Sequence, residues 1–178
     1  MIAALIAVAV LAALFILVAA VQPAEFRVAR QTTIAAPPVD VFAQVNDLHK
    51  FQEWSPWARL DPEVRMTYSG PSAGQGAAFS WEGNSKVGAG AMTITSSQTG
   101  ERVEFRLEFL RPFKATNTTV FTLKSDNGKT AVTWRMTGRK NFIFRALGPL
   151  MNLDKMIGRD FEKGLANLKA LVEPATCA

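Results

Sequence analysis

The sequence predicts an α+β fold: a curved antiparallel β-sheet wrapped around a long C-terminal α-helix, preceded by one N-terminal transmembrane helix. Three observations predict it. Residues Met1 to Val21 (MIAALIAVAVLAALFILVAAV) carry no charged or polar side chain. From Val64 to Thr137 apolar residues recur with period two between turn signals, the pattern of half-buried strands. From Leu150 to Val172 they recur every three or four positions, at Leu150, Leu153, Ile157, Phe161, Leu165, Leu168 and Val172. That is one continuous helical stripe, able to cover the dry face of such a sheet.

At about 1.5 Å per residue the apolar start makes about 31 Å of helix, the thickness of a hydrocarbon core. A cleaved signal peptide is the rival reading, because Val18-Ala19-Ala20 offers small residues near a cleavage point. The length of the run and the lack of a basic segment before it favour a retained anchor. Arg27 and Arg30, the nearest positive side chains, follow the helix, which by the positive-inside rule favours a cytoplasmic domain. Without this leader the apolar share falls from 48% to roughly 41%, an ordinary soluble-domain value. What remains suffices for one domain with its own core. A multi-span transporter is excluded, as is an enzyme with a separate cofactor domain. Cys177 is the single cysteine, so a disulfide scaffold is excluded too.

Gln22-Pro23-Ala24 ends the helix, since proline cannot continue its hydrogen-bond ladder. The organisation read from the sequence is an anchor over 1–21, a linker over 22–25, a domain over 26–173 and a tail over 174–178. So short a linker keeps the domain at the bilayer surface. Phe26 to Ile34 reads as a first strand. Pro37-Pro38 followed by Val41, Phe42 and Val45 reads as a helix with proline at its start, and Leu48 to Trp54 as a second short one. Six strands follow: Val64 to Ser69, Ala77 to Trp81, Val87 to Ser97, Glu101 to Phe109, Ala115 to Lys124 and Lys129 to Gly138. The clearest is Val103-Glu104-Phe105-Arg106-Leu107-Glu108-Phe109, apolar on one side and charged on the other. Asp126-Asn127-Gly128 joins the last two as a hairpin, since Asn and Gly tolerate positive φ.

Residues and motifs in this order resemble the START-like (SRPBCC) superfamily of helix-grip proteins, and within it the bacterial branch of polyketide cyclase/dehydrase and lipid transport proteins, in a membrane-tethered subgroup. The resemblance runs from about Phe26 to Glu173. Thr33-Ile34-Ala35-Ala36-Pro37-Pro38 with Val41-Phe42, Trp54-Ser55-Pro56-Trp57, Leu60-Asp61-Pro62 and Tyr68-Ser69-Gly70-Pro71 carry its first part. Gly74-Gln75-Gly76-Ala77, Trp81-Glu82-Gly83-Asn84, Val87-Gly88-Ala89-Gly90, Val132-Thr133-Trp134 and Asp154-Lys155-Met156 carry the rest, with Gly158, Asp160-Phe161 and Gly164-Leu165. It implies a hydrophobic cavity between the sheet and the C-terminal helix. It does not imply one activity, because the superfamily spans lipid carriers, cyclases, receptors and co-chaperones.

By alternation the inward positions are Phe79, Trp81, Met92, Ile94, Phe105, Leu107, Phe109, Phe121, Leu123, Trp134 and Met136. They are either the core of a sheet packed on a helix or the wall of a cavity, for which Met and aromatic side chains are suited. The expected lining is Trp54, Trp57, Phe79, Trp81, Met92, Phe105, Leu107, Phe121, Trp134, Met136, Ile157 and Phe161. Trp54-Ser55-Pro56-Trp57 is either a plug closing one end or a ligand gate, and a buried indole N–H requires a partner. Gly158 and Gly164 weaken a helix by about 1 kcal/mol each against alanine; close approach to a strand and room for a ligand are the two reasons such a cost would be kept.

Acid-base chemistry needs several converging groups of tuned pKa. The chain has one histidine, His49, and one tyrosine, Tyr68. No catalytic residue is assigned. One His and one terminal Cys cannot form a zinc site, and Gly74-Gln75-Gly76 does not open a helix as a phosphate cradle does, so no metal and no cofactor are expected. Between Arg111 and Pro149 eight basic residues face one acid, Asp126. They are scattered over strands and loops, unlike a nucleic-acid face. The run Arg139-Lys140-Asn141-Phe142-Ile143-Phe144-Arg145 mixes basic and apolar residues, as a contact with anionic headgroups at the cavity mouth does; the other reading is a lid on its own domain. The function expected is therefore a single-pass membrane protein whose domain binds a hydrophobic, lipid-like molecule without catalysis and without nucleic acid. A cyclase/dehydrase-like enzyme and a co-chaperone-like interaction module are the alternatives.

Overall fold

Alternation along a strand commits one side to the core, and the seven strands here share one sheet. The computed structural model describes residues 1–140, 144–145 and 152–173; in the first helix the side chains of residues 4, 5, 8, 9, 11, 12, 18 and 19 are not described. The order is α1 (Ile2–Val21), β1 (Glu25–Ile34), α2 (Pro38–Asn46), α3 (Leu48–Trp54), β2 (Arg65–Ser69), β3 (Ala78–Glu82), β4 (Ala89–Gln98), β5 (Arg102–Arg111), β6 (Ala115–Asp126), β7 (Lys129–Arg139) and α4 (Leu153–Val172). The strands form one antiparallel sheet in the order β1-β7-β6-β5-β4-β3-β2. Every element expected from periodicity is present, with bounds shifted by a few residues. Leu150, the expected first residue of the last helix, lies outside the described residues; α4 starts after Asn152, whose side chain accepts from the Lys155 N–H.

The β5 alternation is realised as read: Val103 and Phe105 are fully buried, and on the outer side Arg102 pairs with Glu104 and Arg106 with Glu108. Two register shifts in the β4–β5 pairing, between Ala89 and Gly90 and between Ile94 and Ser96, bend the sheet, as bulges do. At the β6–β7 hairpin Asn127 (φ 50°) and Gly128 (φ 79°) both take the left-handed conformation that the Asn-Gly pair announces.

α4 lies on the concave face and buries Phe161, Leu165 and Leu168 there. Its outer side is not merely solvated. Arg30 of β1 reaches across to Asp154 (3.0 Å) and Glu162 (2.6 Å) of α4. The Arg30 hydrogen bond holds the Asp154 carboxyl below its ordinary range, and the two carboxylates push the guanidinium further up. The two glycines of α4 are explained by close approach: a Cβ at Gly158 would collide with the Arg30 guanidinium, and one at Gly164 would stand 2.7 Å from Trp134 Cζ3 and 3.1 Å from Pro56 Cδ.

α1 is a 20-residue helix without a charged side chain. Its described side chains are exposed along its length, Ile2 by 76%, Ile6 by 59% and Leu17 by 59%. Among the described residues no helix is long and apolar enough to cross a membrane. The expected transmembrane helix is thus not a feature of the described structure.

Candidate ligand-binding cavity

The register brings one end of every strand pair together. Glu25 faces Arg139, Asn117 faces Gly138, Phe109 faces Ala115 and Ala89 faces Arg111. The β3–β4 and β5–β6 turns, the end of β7 and the start of β1 therefore share one end of the sheet, the end at which α1 joins. On the concave side near that end lies a cavity of about 310 Å³, within the size range of small-molecule sites. Its floor is a cross-strand row running Phe79, Met92, Leu107, Asn117 over β3 to β6, with Phe105, Thr119, Trp134 and Met136 beside it. Phe51 of α3, Trp57 and Ala58 of the following turn, and Ile157 and Asp160 of α4 form the facing wall. The floor residues Phe79, Met92, Phe105 and Trp134 are buried, whereas Gln52, Ala58, Val64 and Val87 at the rim are half-buried and Lys86 is exposed.

Of the expected lining, Trp57, Phe79, Trp81, Met92, Phe105, Leu107, Trp134, Met136 and Ile157 meet around this space. Trp54, Phe121 and Phe161 do not. They sit behind Trp134 in a packed aromatic cluster: Trp134 stacks on Phe161 at 4.0 Å and on Phe121 at 4.8 Å, and Trp54 meets it edge-on at 5.8 Å. The Trp54-Ser55-Pro56-Trp57 bend thus divides its work. Trp54 is a plug, fully buried and donating its Nε1–H to Gln44 O at 3.2 Å. Trp57 is half-buried at the rim and donates to Asp160 Oδ2 at 3.3 Å, bridging the turn to α4.

Sequence reasoning missed Phe51, Val64, Met66 and Asp160 in this wall. It also missed two polar residues, Asn117 and Thr119, although both have the inward parity of Phe121 on β6. Their Oδ1 and Oγ1 atoms and Trp134 Nε1 are buried and make no hydrogen bond. The other three indoles have acceptors, Trp81 donating to Val87 O at 3.0 Å.

His49 and Tyr68 are elsewhere. Their rings stack at 3.8 Å beside a separate cleft of about 110 Å³, and neither lines the larger cavity. Burial, with the Asp47 carboxylate adding to it, pushes the Tyr68 phenol up. Among the described residues no three His, Cys, Asp or Glu side chains are grouped to hold a metal ion. Residues 141–143 of the basic-apolar run lie outside the described residues. Arg139, Lys140 and Arg145 do not line the cavity; Arg145 donates to Ala20 O (2.8 Å) and Gln22 O (3.2 Å) at the end of α1.

Residues 25–173 match the family described as polyketide cyclase/dehydrase and lipid transport. The chain belongs to that family. The START-like resemblance read from its motifs therefore holds, over nearly the same span. Protein CV1439 from Chromobacterium violaceum is similar in structure with a TM-score of 0.59 at 18% identity, over 85% of this chain and 99% of that one. A protein from Nitrosospira multiformis gives 0.61 at 16%, over 86% and 100%. The Aha1 dimer from Colwellia psychrerythraea gives 0.55 at 15%, over 85% and 98%. At these identities the likeness concerns the fold. No curated protein matches the chain.

Proposed function

We propose that this member of the polyketide cyclase/dehydrase and lipid transport family is a membrane-anchored, non-enzymatic domain that binds a hydrophobic, lipid-like molecule in the concave cavity. The observation that carries the reading is the cavity itself. Its walls are aromatic, Met and aliphatic side chains with few polar groups, the composition of sites that bind by burial of apolar surface. The two residues best suited to proton transfer, His49 and Tyr68, stack on each other outside it, which disfavours the cyclase alternative.

Three features support the anchor. α1 has no charged residue and exposes its described apolar side chains. Arg145 donates to carbonyls at its C-terminal end, where a cation complements both the helix dipole and anionic headgroups. The same end of the sheet exposes Leu110 and Phe113, by 56% and 49%, interleaved with Arg111 and Lys114. Such a mixture suits an interface with lipid. Arg27 and Arg30 after the helix favour a single span with the domain on the cytoplasmic face.

Native mass spectrometry of the full chain released from nanodiscs tests the binding: a co-purifying apolar molecule is expected, and an empty chain that takes up no added lipid would overturn it. Alkaline carbonate washing of membranes tests the anchor, with the chain expected in the pellet; release into the wash would remove it.

A further inference from the structure

Burying a polar atom without a partner costs free energy, so a native structure keeps few of them. Among the described residues four such side-chain atoms occur: Gln44 Oε1, Asn117 Oδ1, Thr119 Oγ1 and Trp134 Nε1. Three of the four belong to residues on one wall of the cavity. Asn117, Thr119 and Trp134 are exposed by 7%, 4% and 1%. The placement is built in. Asn117 faces Gly138 across the β6–β7 pairing, and a Cβ at Gly138 would collide with Asn117 Oδ1, so the strand opposite leaves room for the amide. Thr119 follows two positions on, on the same face, and is the diagonal neighbour of Trp134 through its pairing with Met136, at about 7–8 Å.

We infer that the cavity is built for an uncharged apolar ligand that carries a hydroxyl group, taken up between Asn117 and Thr119. This rests on the hydrophobic-ligand reading above and narrows it. A hydroxyl has one donor and two acceptor sites. It donates to Asn117 Oδ1 and accepts from the Thr119 hydroxyl, whereas a hydrocarbon leaves both unmade. Trp134 Nε1–H supplies a donor further along the same wall for a second oxygen of the ligand. A carboxylate does not fit: the floor has no cation to meet it, Lys86 being at the rim, and a buried unpaired charge is far costlier than a buried hydroxyl.

The test measures the affinity of the full chain in amphipol for three rigid probes of one size, naphthalene, 2-naphthol and 2-naphthoate, by calorimetry at neutral pH. The expected result is 2-naphthol about threefold to tenfold tighter than naphthalene, and 2-naphthoate weaker than 2-naphthol. In Thr119→Val and in Asn117→Leu the ratio of 2-naphthol to naphthalene falls toward one. Gly138→Ala, which displaces Asn117 while keeping its chemistry, lowers the ratio as well. Equal binding of naphthalene and 2-naphthol by the unsubstituted chain overturns the inference while leaving the hydrophobic-ligand reading intact, and needs no variant to be folded. A ratio that survives both Thr119→Val and Asn117→Leu, or 2-naphthoate binding tightest, also overturns it. Binding of none of the three probes removes the hydrophobic-ligand reading and this inference with it.

Discussion

The two ends of the concave face are made of the same residue types and end up in opposite states. At the end remote from α1, Ile94, Val103, Phe121, Leu123 and Val132 meet Leu165 and Leu168 of α4 and the buried side of α2, and the space is filled. At the α1 end, Phe79, Met92, Phe105 and Leu107 face a void of about 310 Å³. What differs is the cover. The stripe of α4 presses onto the first region, with Phe161 flat against Trp134. Over the second region α4 contributes only Ile157 and Asp160, and the α3 turn spans the gap through Trp57. Hydrophobic residues on a sheet therefore become core or pocket according to what is laid on top of them.

Substitutions can break this contrast. Phe161→Ala opens the filled end and should cost about 3–5 kcal/mol, whereas Met92→Ala, on a wall that already borders a void, should lie near the lower end of its range, about 2 kcal/mol; chemical unfolding of both variants checks the difference. Gly164→Ala should destabilise by about 1–3 kcal/mol through its clash with Trp134, despite a gain of about 1 kcal/mol in helix propensity. A stabilised Gly164→Ala chain would mean that the aromatic cluster yields. Enlarging a wall residue sharpens the comparison from the other side. Leu107→Phe should be accepted within about 1.5 kcal/mol while weakening 2-naphthol binding, and Val103→Phe at the filled end should cost about 1–3 kcal/mol.

The smallest effect is electrostatic. The folded Asp154 carboxyl is held below its ordinary value of 3.8 by the Arg30 hydrogen bond, so its contribution is complete above the unfolded value and is lost as pH falls through the lowered one. Thermal unfolding of Asp154→Asn should show a small deficit against the native chain at pH 7, closing below about pH 4. A deficit that persists in acid would mean that the pair acts by shape and not by charge.

Most of the fold was legible because each strand carries its own alternation and α4 its own stripe. Val103 to Phe109 gave both faces of β5, and Leu48 to Trp54 became a helix with those bounds. The site was legible in part. Parity says which face a side chain takes, but not what lies above it, so Phe121 and Leu107 read alike although one is sealed by the aromatic cluster and the other borders the void. Trp54 and Phe161 went the same way. Phe51, Met66 and Asp160 join the wall through tertiary placement that no local pattern encodes. Asn117 and Thr119 were readable, as two polar residues at inward positions of β6. A polar residue at an apolar position is a stronger sign of a site than another aromatic.

The pairing of β1 bears on how the molecule assembles. Strands β2 to β7 each pair with a strand next to them in sequence, but β1 pairs with β7 alone, roughly a hundred positions further along the chain. Closing so long a loop is slow compared with zipping hairpins. The meander is therefore expected to form first, with β1 and α1 before it docking afterwards, and pulse-labelling hydrogen exchange during refolding should find amides of β4 to β6 protected before those of β1. The strand that leads from α1 into the domain is then the last edge to close, and its closing brings Arg30 to Asp154 and Glu162 of α4.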